Sequence, residues 1–187
     1  MEAKAIRKLS MEELGRLTVD EFKQTAKIPI TVVLDDIRSM HNVGSVFRTA
    51  DAFLVERILL CGFTPQPPHR DIHKTALGAT ETVAWQHFTR PEEAIAFLKE
   101  GGYRIYAVEQ TTNSLPLTQM EWDAKEPLAL VFGNEVSGVG DAFLNAADRS
   151  VEIPQMGMKH SLNISVAAGI VLYKFAEIFF KEDRGAQ

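Results

Sequence analysis

Hydrophobic and polar positions alternate in blocks along most of the chain, and these blocks predict an α/β fold. Six short runs rich in Val, Ile and Leu have the length and composition of buried strands. The predicted strands cover residues 30–34, 57–61, 82–85, 103–108, 128–132 and 150–153. Helical periodicity predicts helices at residues 44–53, 90–100, 140–147 and 163–180. Strands that alternate with helices indicate a parallel sheet that is flanked by helices on both faces.

The residues before the first strand predict a helical lead-in. Apolar residues recur there at roughly helical spacing, at Leu9, Leu14, Leu17 and Phe22. Ser10 and Glu13 have the spacing of a capping box, which predicts a helix that starts at Ser10. We therefore divide the chain into a lead-in at 1–27 and one α/β domain at 28–187. The lead-in is either an arm that packs on this domain or a segment that contacts the substrate.

Composition excludes several classes of protein. The chain has 187 residues, enough for one domain with a real core. A single cysteine, Cys61, excludes an intramolecular disulfide, and it follows an apolar run that predicts a buried, inert thiol. One Cys and five scattered His form no metal-ligand pattern. Lys174 and Glu177 interrupt the last apolar helix, so no membrane span is predicted. We expect a cytoplasmic protein.

Three polar loops follow predicted strands, at 35–44, 133–140 and 154–162. In parallel α/β sheets ligands bind beyond the carboxyl ends of the strands. In the first loop and the helix after it, Asn42 and Arg48 are six residues apart and can converge on one ligand, while Gly44 allows a close approach to the backbone. Arg48 is either an anion clamp or an arginine paired with Asp51 or Glu56.

The other two loops add further polar groups. Gly133, Asn134 and Glu135 follow a strand, but the loop has neither the lysine of a phosphate loop nor a dinucleotide fingerprint. Ser161 and Asn163 precede the last helix, where they can cap it or face a ligand. The adjacent aspartates 35 and 36 fit turn and capping chemistry better than metal binding or acid–base work.

Taken together, these loops resemble one family. The patterns are Asn42-x-Gly-x-x-x-Arg48, Gly133-Asn-Glu135 and Ile153-Pro followed by Ser161-Leu-Asn163. In this order the chain resembles the SpoU (TrmH-type) RNA 2′-O-methyltransferases of the SPOUT superfamily, over about residues 28–180. The resemblance implies a parallel α/β domain whose C-terminal segment forms a trefoil knot and binds S-adenosylmethionine. It also implies a homodimer with the active site at the interface, in which the last helix takes part.

The resemblance implies roles for individual residues. The cofactor would be bound around Glu109, Gln110, Gly133, Ile153 and Leu162. The catalytic set would be Asn42, Arg48, Glu135, Ser161 and Asn163. The reaction transfers a methyl group to a ribose 2′-hydroxyl of tRNA or rRNA.

For Arg48 we expect a clamp on an RNA phosphate that stabilises developing charge, because a guanidinium stays protonated in proteins. Asn42 would orient the hydroxyl or Arg48, and Glu135 would position its loop or Arg48. Ser161 and Asn163 would shape the reaction face.

RNA needs a basic surface, although the net charge of −5 argues mildly against nucleic-acid binding. A basic rim is expected at Arg38, His41, Arg70, Lys74 and Lys159, together with His73 and His160. Residues 64–74 contain three prolines and predict a loop, either solvated or in contact with RNA. Some relatives carry a separate N-terminal RNA-binding domain, which a lead-in of 27 residues is too short to replace, and this favours tRNA. The alternative function is a non-catalytic RNA- or cofactor-binding module.

Overall fold

A seven-stranded parallel sheet forms the centre of the computed structural model, which describes residues 6–10 and 12–185. The strands are β1 (Ile28–Asp35), β2 (Val55–Cys61), β3 (Ala84–Phe88), β4 (Arg104–Val108), β5 (Leu115–Pro116), β6 (Leu128–Phe132) and β7 (Arg149–Glu152). Their order is β3-β2-β1-β6-β4-β7-β5, and every neighbouring pair is parallel. The predicted α/β class is therefore confirmed. The two-residue strand β5 was not predicted.

Seven α-helices accompany the sheet in the described residues. They are α1 (Val19–Gln24), α2 (Met40–Ala52), α3 (Arg70–Ala76), α4 (Ala79–Thr82), α5 (Pro91–Glu100), α6 (Asp141–Ala146) and α7 (Ile164–Gly185). Four of them, α2, α5, α6 and α7, match the predicted helices. Within residues 12–185 none of these helices is long and apolar enough to cross a membrane.

The central strands β1, β2 and β6 bury both of their faces, since alternate residues point to opposite sides of a sheet. On one side Val32 and Leu34 pack in a large cluster with residues of α2 and α7, including Phe47 and Phe175. On the other side Val33 belongs to a smaller cluster with residues of α5 and α6. This is the sheet covered on both faces that the apolar runs predicted.

The register of the sheet brings the polar loops together. Leu34 of β1 pairs with Phe132 of β6, Phe132 pairs with Val108 of β4, and Val108 pairs with Val151 of β7. The carboxyl ends of four adjacent strands therefore lie in one row. The loops that follow them form one edge of the domain. The strand order is consistent with the implied trefoil knot, which stays a prediction.

The prediction for the lead-in is wrong in part. Ser10 and Glu13 do form the hydrogen bonds of a capping box, yet only a turn follows them, over residues 12–15. The Leu9, Leu14 and Leu17 side chains are exposed, so no packing stabilises a longer helix there. The lead-in helix is α1, whose Phe22 is buried in the large cluster. Residues 1–5 and 11 of the lead-in and 186–187 of the domain lie outside the described residues.

Two further expectations need correction where α2 packs against α3. The loop predicted at 64–74 becomes helix α3 from Arg70 onward, because Ile72 and Ala76 are buried against the rest of the domain. Gly44 does not face a ligand. It lies inside α2, where a Cβ atom would collide with the backbone and a side chain of α3, so it allows these two helices to pack closely.

Candidate active site

A cleft of about 550 Å³ opens at the edge where β4, β6 and β7 end. Its size lies in the range of small-molecule sites. The lining residues come from three segments, 108–110, 132–138 and 151–167. All five predicted cofactor residues line it, namely Glu109, Gln110, Gly133, Ile153 and Leu162, and so do the predicted catalytic residues Glu135, Ser161 and Asn163.

The loop at 133–140 is a tight hairpin that forms one wall of the cleft. Asn134 and Gly138 exchange two backbone hydrogen bonds of 2.9 Å. A Cβ atom at Gly133 would collide with the backbone of Gly138 and Val139, so only glycine fits at the start of this hairpin. Asn134 organises the hairpin, since its Nδ2 donates to the carbonyl of Asp36 over 2.6 Å and its Oδ1 accepts two backbone N–H groups of the hairpin. No role was predicted for Asn134 from the sequence, although Asn in a glycine-bounded turn is a recognised signal.

Three predicted site residues form a hydrogen-bonded relay across the mouth of the cleft. Asn42 donates from Nδ2 to Oε1 of Glu135 over 3.1 Å. Asn163 donates from Nδ2 to Oδ1 of Asn42 over 3.2 Å. The relay connects the first turn of α2, the hairpin and the residue that precedes α7. The structure thus brings together polar residues from the three loops that the sequence singled out.

The direction of the relay follows from its chemistry. A carboxylate only accepts hydrogen bonds, so the amide NH2 of Asn42 must face Glu135 and its carbonyl must face Asn163. Asn163 Oδ1 then accepts from the backbone N–H and the hydroxyl of Ser165, over 2.9 and 2.7 Å. Asn163 therefore caps α7 and joins the relay at the same time. The capping role considered from sequence is present, and a contact of Asn163 with a ligand stays a prediction.

Glu135 is ionised at neutral pH. Desolvation alone would raise the pKa of its carboxyl. Hydrogen bonds from its own N–H, from the backbone N–H groups of Arg38 and Ser39, and from the Asn42 side chain outweigh this effect, so the pKa lies below its ordinary value. Arg38 N–H donates to Oε2 over 3.2 Å. Glu135 therefore fixes both the hairpin and the entry to α2.

Arg48 does not join the relay. On an α-helix, six residues advance by about 9 Å and rotate by about 240°, so Arg48 and Asn42 lie on different faces of α2. Arg48 is exposed, and its side chain has no hydrogen-bond or ion-pair partner in the part of the chain that the structure describes. The expectation that both residues converge on one ligand is wrong within one chain. Pairing with Asp51 or Glu56 is also absent, since Asp51 accepts a hydrogen bond from Thr82 and Glu56 binds Arg57 and Tyr103.

The segment after β7 forms the opposite wall of the cleft. Residues 155–162 donate no backbone hydrogen bond to any residue within the described ranges. Ser161 and Lys159 are exposed, and their side chains also have no described partner. This wall thus offers free backbone and hydroxyl donors beside the apolar side chains of Ile153 and Leu162.

The predicted basic residues border this edge on two sides. Arg38 and His41 lie at the start of α2, and Arg70 and Lys74 lie on α3, whose Thr75 hydroxyl donates to the carbonyl of His41 over 3.0 Å. Lys159 belongs to the wall after β7. All five predicted RNA contacts are exposed, but Lys74 forms an ion pair of 2.6 Å with Asp71.

The acidic pair at the end of β1 has a structural role. Asp35 Oδ2 accepts the N–H of Gly140 over 2.8 Å, and Asp36 Oδ1 accepts the N–H of Phe63 over 2.9 Å. Cys61 is fully buried, and burial together with these two carboxylates raises the pKa of its thiol far above the ordinary value. Across residues 6–10 and 12–185 no group of three or more His, Cys, Asp or Glu could hold a metal ion.

The comparison with known proteins decides the family. Residues 29–173 match the model of the SpoU rRNA Methylase family. The chain belongs to this family. A tRNA (guanosine(18)-2′-O)-methyltransferase of Thermus thermophilus is 30% identical over 162 residues, which are 87% of this chain and 81% of that protein. The enzyme of the same name from Escherichia coli is 30% identical over 145 residues, 78% of this chain and 62% of that protein.

Solved structures agree with this assignment. The A. aeolicus TrmH/SpoU tRNA modifying enzyme has a TM-score of 0.76 and 26% identity, covering 89% of this chain and 84% of that one. The AdoMet-bound rRNA methyltransferase from Sinorhizobium meliloti has a TM-score of 0.75 and 26% identity, covering 85% of this chain and 59% of that one. Membership of the family confirms the predicted enzyme class, an RNA methyltransferase that uses S-adenosylmethionine.

The cleft of this SpoU-family chain fits that cofactor. Apolar side chains of Val108, Ile153, Leu162 and Ala167 offer contacts for an adenine ring. The free N–H groups of residues 155–162 can donate to the acceptor atoms of the ring and the sugar. The carboxylate of Glu135 lies at the mouth, where it favours a cationic group over an anionic one.

Proposed function

We propose that this chain transfers a methyl group from S-adenosylmethionine to a ribose 2′-hydroxyl of a tRNA. The observation that carries the proposal is the relay of Glu135, Asn42 and Asn163 at the mouth of the cofactor cleft. The relatives named as tRNA (guanosine(18)-2′-O)-methyltransferases support tRNA, and guanosine 18 is the first nucleotide to test.

When bound, S-adenosylmethionine supplies an electrophilic methyl group on a positively charged sulfur. The protein must then hold the attacking hydroxyl in line with that group. Asn42 retains one free Nδ2 hydrogen and one free Oδ1 lone pair after its relay bonds are made, and these can orient the hydroxyl. The Ser161 hydroxyl, which has no partner in the described ranges, can contact the same ribose. Glu135 and Asn163 keep Asn42 fixed.

A second copy of the chain completes the site in this proposal. Exposed apolar side chains of α7 recur at a coiled-coil-like spacing at Val166, Ile170, Tyr173 and Phe180. Tyr173 packs edge-on against Phe53 at the end of α2, with ring centroids 6.1 Å apart. A partner docked on this stripe would approach α2, which carries Arg48. Arg48 then acts in the partner's cleft, where it clamps an RNA phosphate and stabilises developing alkoxide charge.

Mixing two impaired variants tests this arrangement. Arg48→Ala and Asn42→Ala each remove one half of a shared site, so a heterodimer of the two keeps one intact site. After the variants are unfolded and refolded together, we expect activity well above the low residual rate of either variant refolded alone. If the mixture is no more active than the separate variants although heterodimers form, Arg48 does not act across the interface.

The remaining assignments complete the proposal. Residues 28–187 form the catalytic domain, and residues 1–27 are a lead-in. The exposed side chains of Arg38, His41, Arg70 and Lys159 contact the RNA backbone. The enzyme acts in the cytoplasm, a reducing compartment in which a free thiol such as that of the buried Cys61 stays reduced.

Labelled S-adenosylmethionine tests the function directly. The protein is incubated with total tRNA and, separately, with rRNA, and ribose methylation is mapped by nucleotide. We expect transfer to a ribose of tRNA. Tight cofactor binding without transfer to either RNA would instead support a non-catalytic binding module, and transfer to a base would refute the 2′-hydroxyl as the target.

A further inference from the structure

Two consecutive residues, Glu109 and Gln110, follow β4 and lie at the base of the cleft between its two walls. The first wall is the hairpin at 133–140, and the second wall is the segment at 153–163. Glu109 Oε2 accepts the N–H of Val139 in the first wall over 3.0 Å. Gln110 Nε2 donates to the carbonyl of His160 in the second wall over 3.1 Å. Neighbouring side chains thus hold opposite walls.

The pair is itself anchored firmly. Glu109 N–H donates to the carbonyl of Val151 at the end of β7 over 3.0 Å, and Glu109 Oε1 accepts the N–H of Gln110 over 2.9 Å. The Glu109 carboxylate also lies directly against Gly138, so that a Cβ atom there would collide with it. The carboxylate therefore holds the backbone of the first wall in place at Gly138 and Val139.

The second wall has few other attachments. In the described part of the chain, two residues outside α7 share side-chain hydrogen bonds with residues 153–163, namely Gln110 and Asn42. The other such bonds are those of the cap that Asn163 forms with Ser165 of α7. Asn42 connects the walls at the mouth of the cleft, through Glu135, and the pair connects them at the base. Hydrogen bonds therefore connect the two walls both at the mouth and at the base of the cleft.

We propose that Glu109 and Gln110 are positioning residues that set the spacing of the two walls, rather than residues whose polar groups serve mainly to bind the cofactor. Gln110 holds the second wall, which carries the free N–H groups for the cofactor. Glu109 holds the first wall, which carries Glu135 and hence the relay. The expected effect on methyl transfer rests on the proposed function. The positioning of the two walls by Glu109 and Gln110 does not rest on it.

Isosteric variants separate the two roles. Gln110→Glu removes the donor to His160 and places a carboxylate against a carbonyl oxygen. Glu109→Gln removes the charge and one of two acceptors while keeping the shape. Glu152→Gln is the matched control, because its carboxylate lines the same cleft but binds Ser114 over 2.8 Å and touches neither wall by a hydrogen bond.

Each wall has a local readout that needs no methyl transfer. For the second wall it is the rate of tryptic cleavage after Lys159, and for the first wall it is amide hydrogen exchange at Asn134, Gly138 and Val139. Losing one hydrogen bond should change each rate about three- to tenfold. We expect Gln110→Glu to speed only the cleavage and to weaken cofactor binding by a similar factor. Glu109→Gln should speed only the exchange and lower kcat at saturating cofactor.

The crossed pattern decides the proposal. If both variants affect both walls alike, or if neither differs from Glu152→Gln, the pair does not position the walls. If the crossed pattern appears but wild-type protein methylates no RNA, the proposed function fails while the positioning role stands.

Discussion

The relay and the basic rim lie at the same edge of the sheet, yet they differ in how their polar groups are satisfied. In the relay, Glu135, Asn42 and Asn163 are all hydrogen-bonded to protein. In the rim, the side chains of Arg38, Arg70 and Lys159 are exposed and have no partner in the part of the chain that the structure describes. The relay is preorganised, whereas the rim has hydrogen-bond donors that are free to bind acceptors outside the protein, such as RNA phosphates.

This difference separates two contributions to function. Preorganised hydrogen bonds need no rearrangement when the reaction occurs, so the relay should act on the rate of transfer. Exposed cations gain their interaction energy only when they meet phosphates, and that energy depends on salt. Substitutions in the relay and in the rim should therefore change different measured quantities.

Arg48→Ala should give the largest effect. Arg48 belongs to neither group. It is proposed to clamp RNA at the reacting ribose, so transfer should fall by about 10²–10³-fold. The dissociation constant for S-adenosylmethionine, measured by calorimetry without RNA, stays nearly unchanged. Arg48→Lys keeps the charge but loses the planar donors, so it should restore only part of the rate. A large loss of cofactor binding in Arg48→Ala would show that Arg48 serves the cofactor side.

Asn42→Ala breaks the relay at its centre. It removes two hydrogen bonds and leaves Glu135 and Asn163 without their shared partner, so kcat should fall about 10- to 100-fold. RNA affinity, measured by fluorescence anisotropy, should change little. Asn145→Ala, an exposed asparagine on α6, is the matched control. If RNA affinity falls as much as kcat, the relay and the rim are not separate.

Two lysines test the rim with a smaller effect. Lys159 has no partner among the described residues, whereas Lys74 is already bound to Asp71. Lys159→Ala should weaken RNA binding a few-fold and reduce the slope of log affinity against log salt by about 1. Lys74→Ala should change the slope less. Equal slopes for both variants would mean that the ion pair of Lys74 opens on RNA binding.

The smallest effect concerns stability and pH. Glu135 has a folded pKa below the unfolded value of about 4.3, so its contribution to the free energy of unfolding is present above that pH and is lost as the pH falls through the lowered pKa. Glu135→Gln should therefore be less stable than wild type at pH 7, and the difference should shrink below about pH 4. Urea unfolding at both pH values measures it. A difference that is constant or grows towards low pH would contradict the ionised relay.

The elements with strong apolar patterns were predictable from sequence. Five of the six predicted strands match observed strands closely, because runs such as residues 128–132 are buried on both faces of the sheet. The prediction at 82–85 overlaps β3 only at residues 84–85, because Thr82 ends α4 and β3 is a partly exposed edge strand. The site-bearing loops were also predictable, since the ends of parallel strands must share one edge. The residues that line the cleft, such as Gly133 and Leu162, were named from the family resemblance.

Features that depend on contacts distant in sequence were not predictable. Ser10 and Glu13 signalled a helix start, but the residues after them find no apolar partner. Helix α3 was not predicted, because its charged residues obscure any apolar periodicity. Packing of the buried Ile72 stabilises it. The relay joins residues 93 and 121 positions apart, so only the register of the sheet reveals it.

The central claim is that the relay presents one ribose hydroxyl to the cofactor. The most direct measurement is single-turnover methyl transfer to a synthetic tRNA that carries one 2′-deoxynucleotide at the mapped position, compared with the all-ribose tRNA. The account predicts that transfer is lost while the two RNAs bind with similar affinity. Transfer of the methyl group to the deoxy-substituted nucleotide at the normal rate would contradict it.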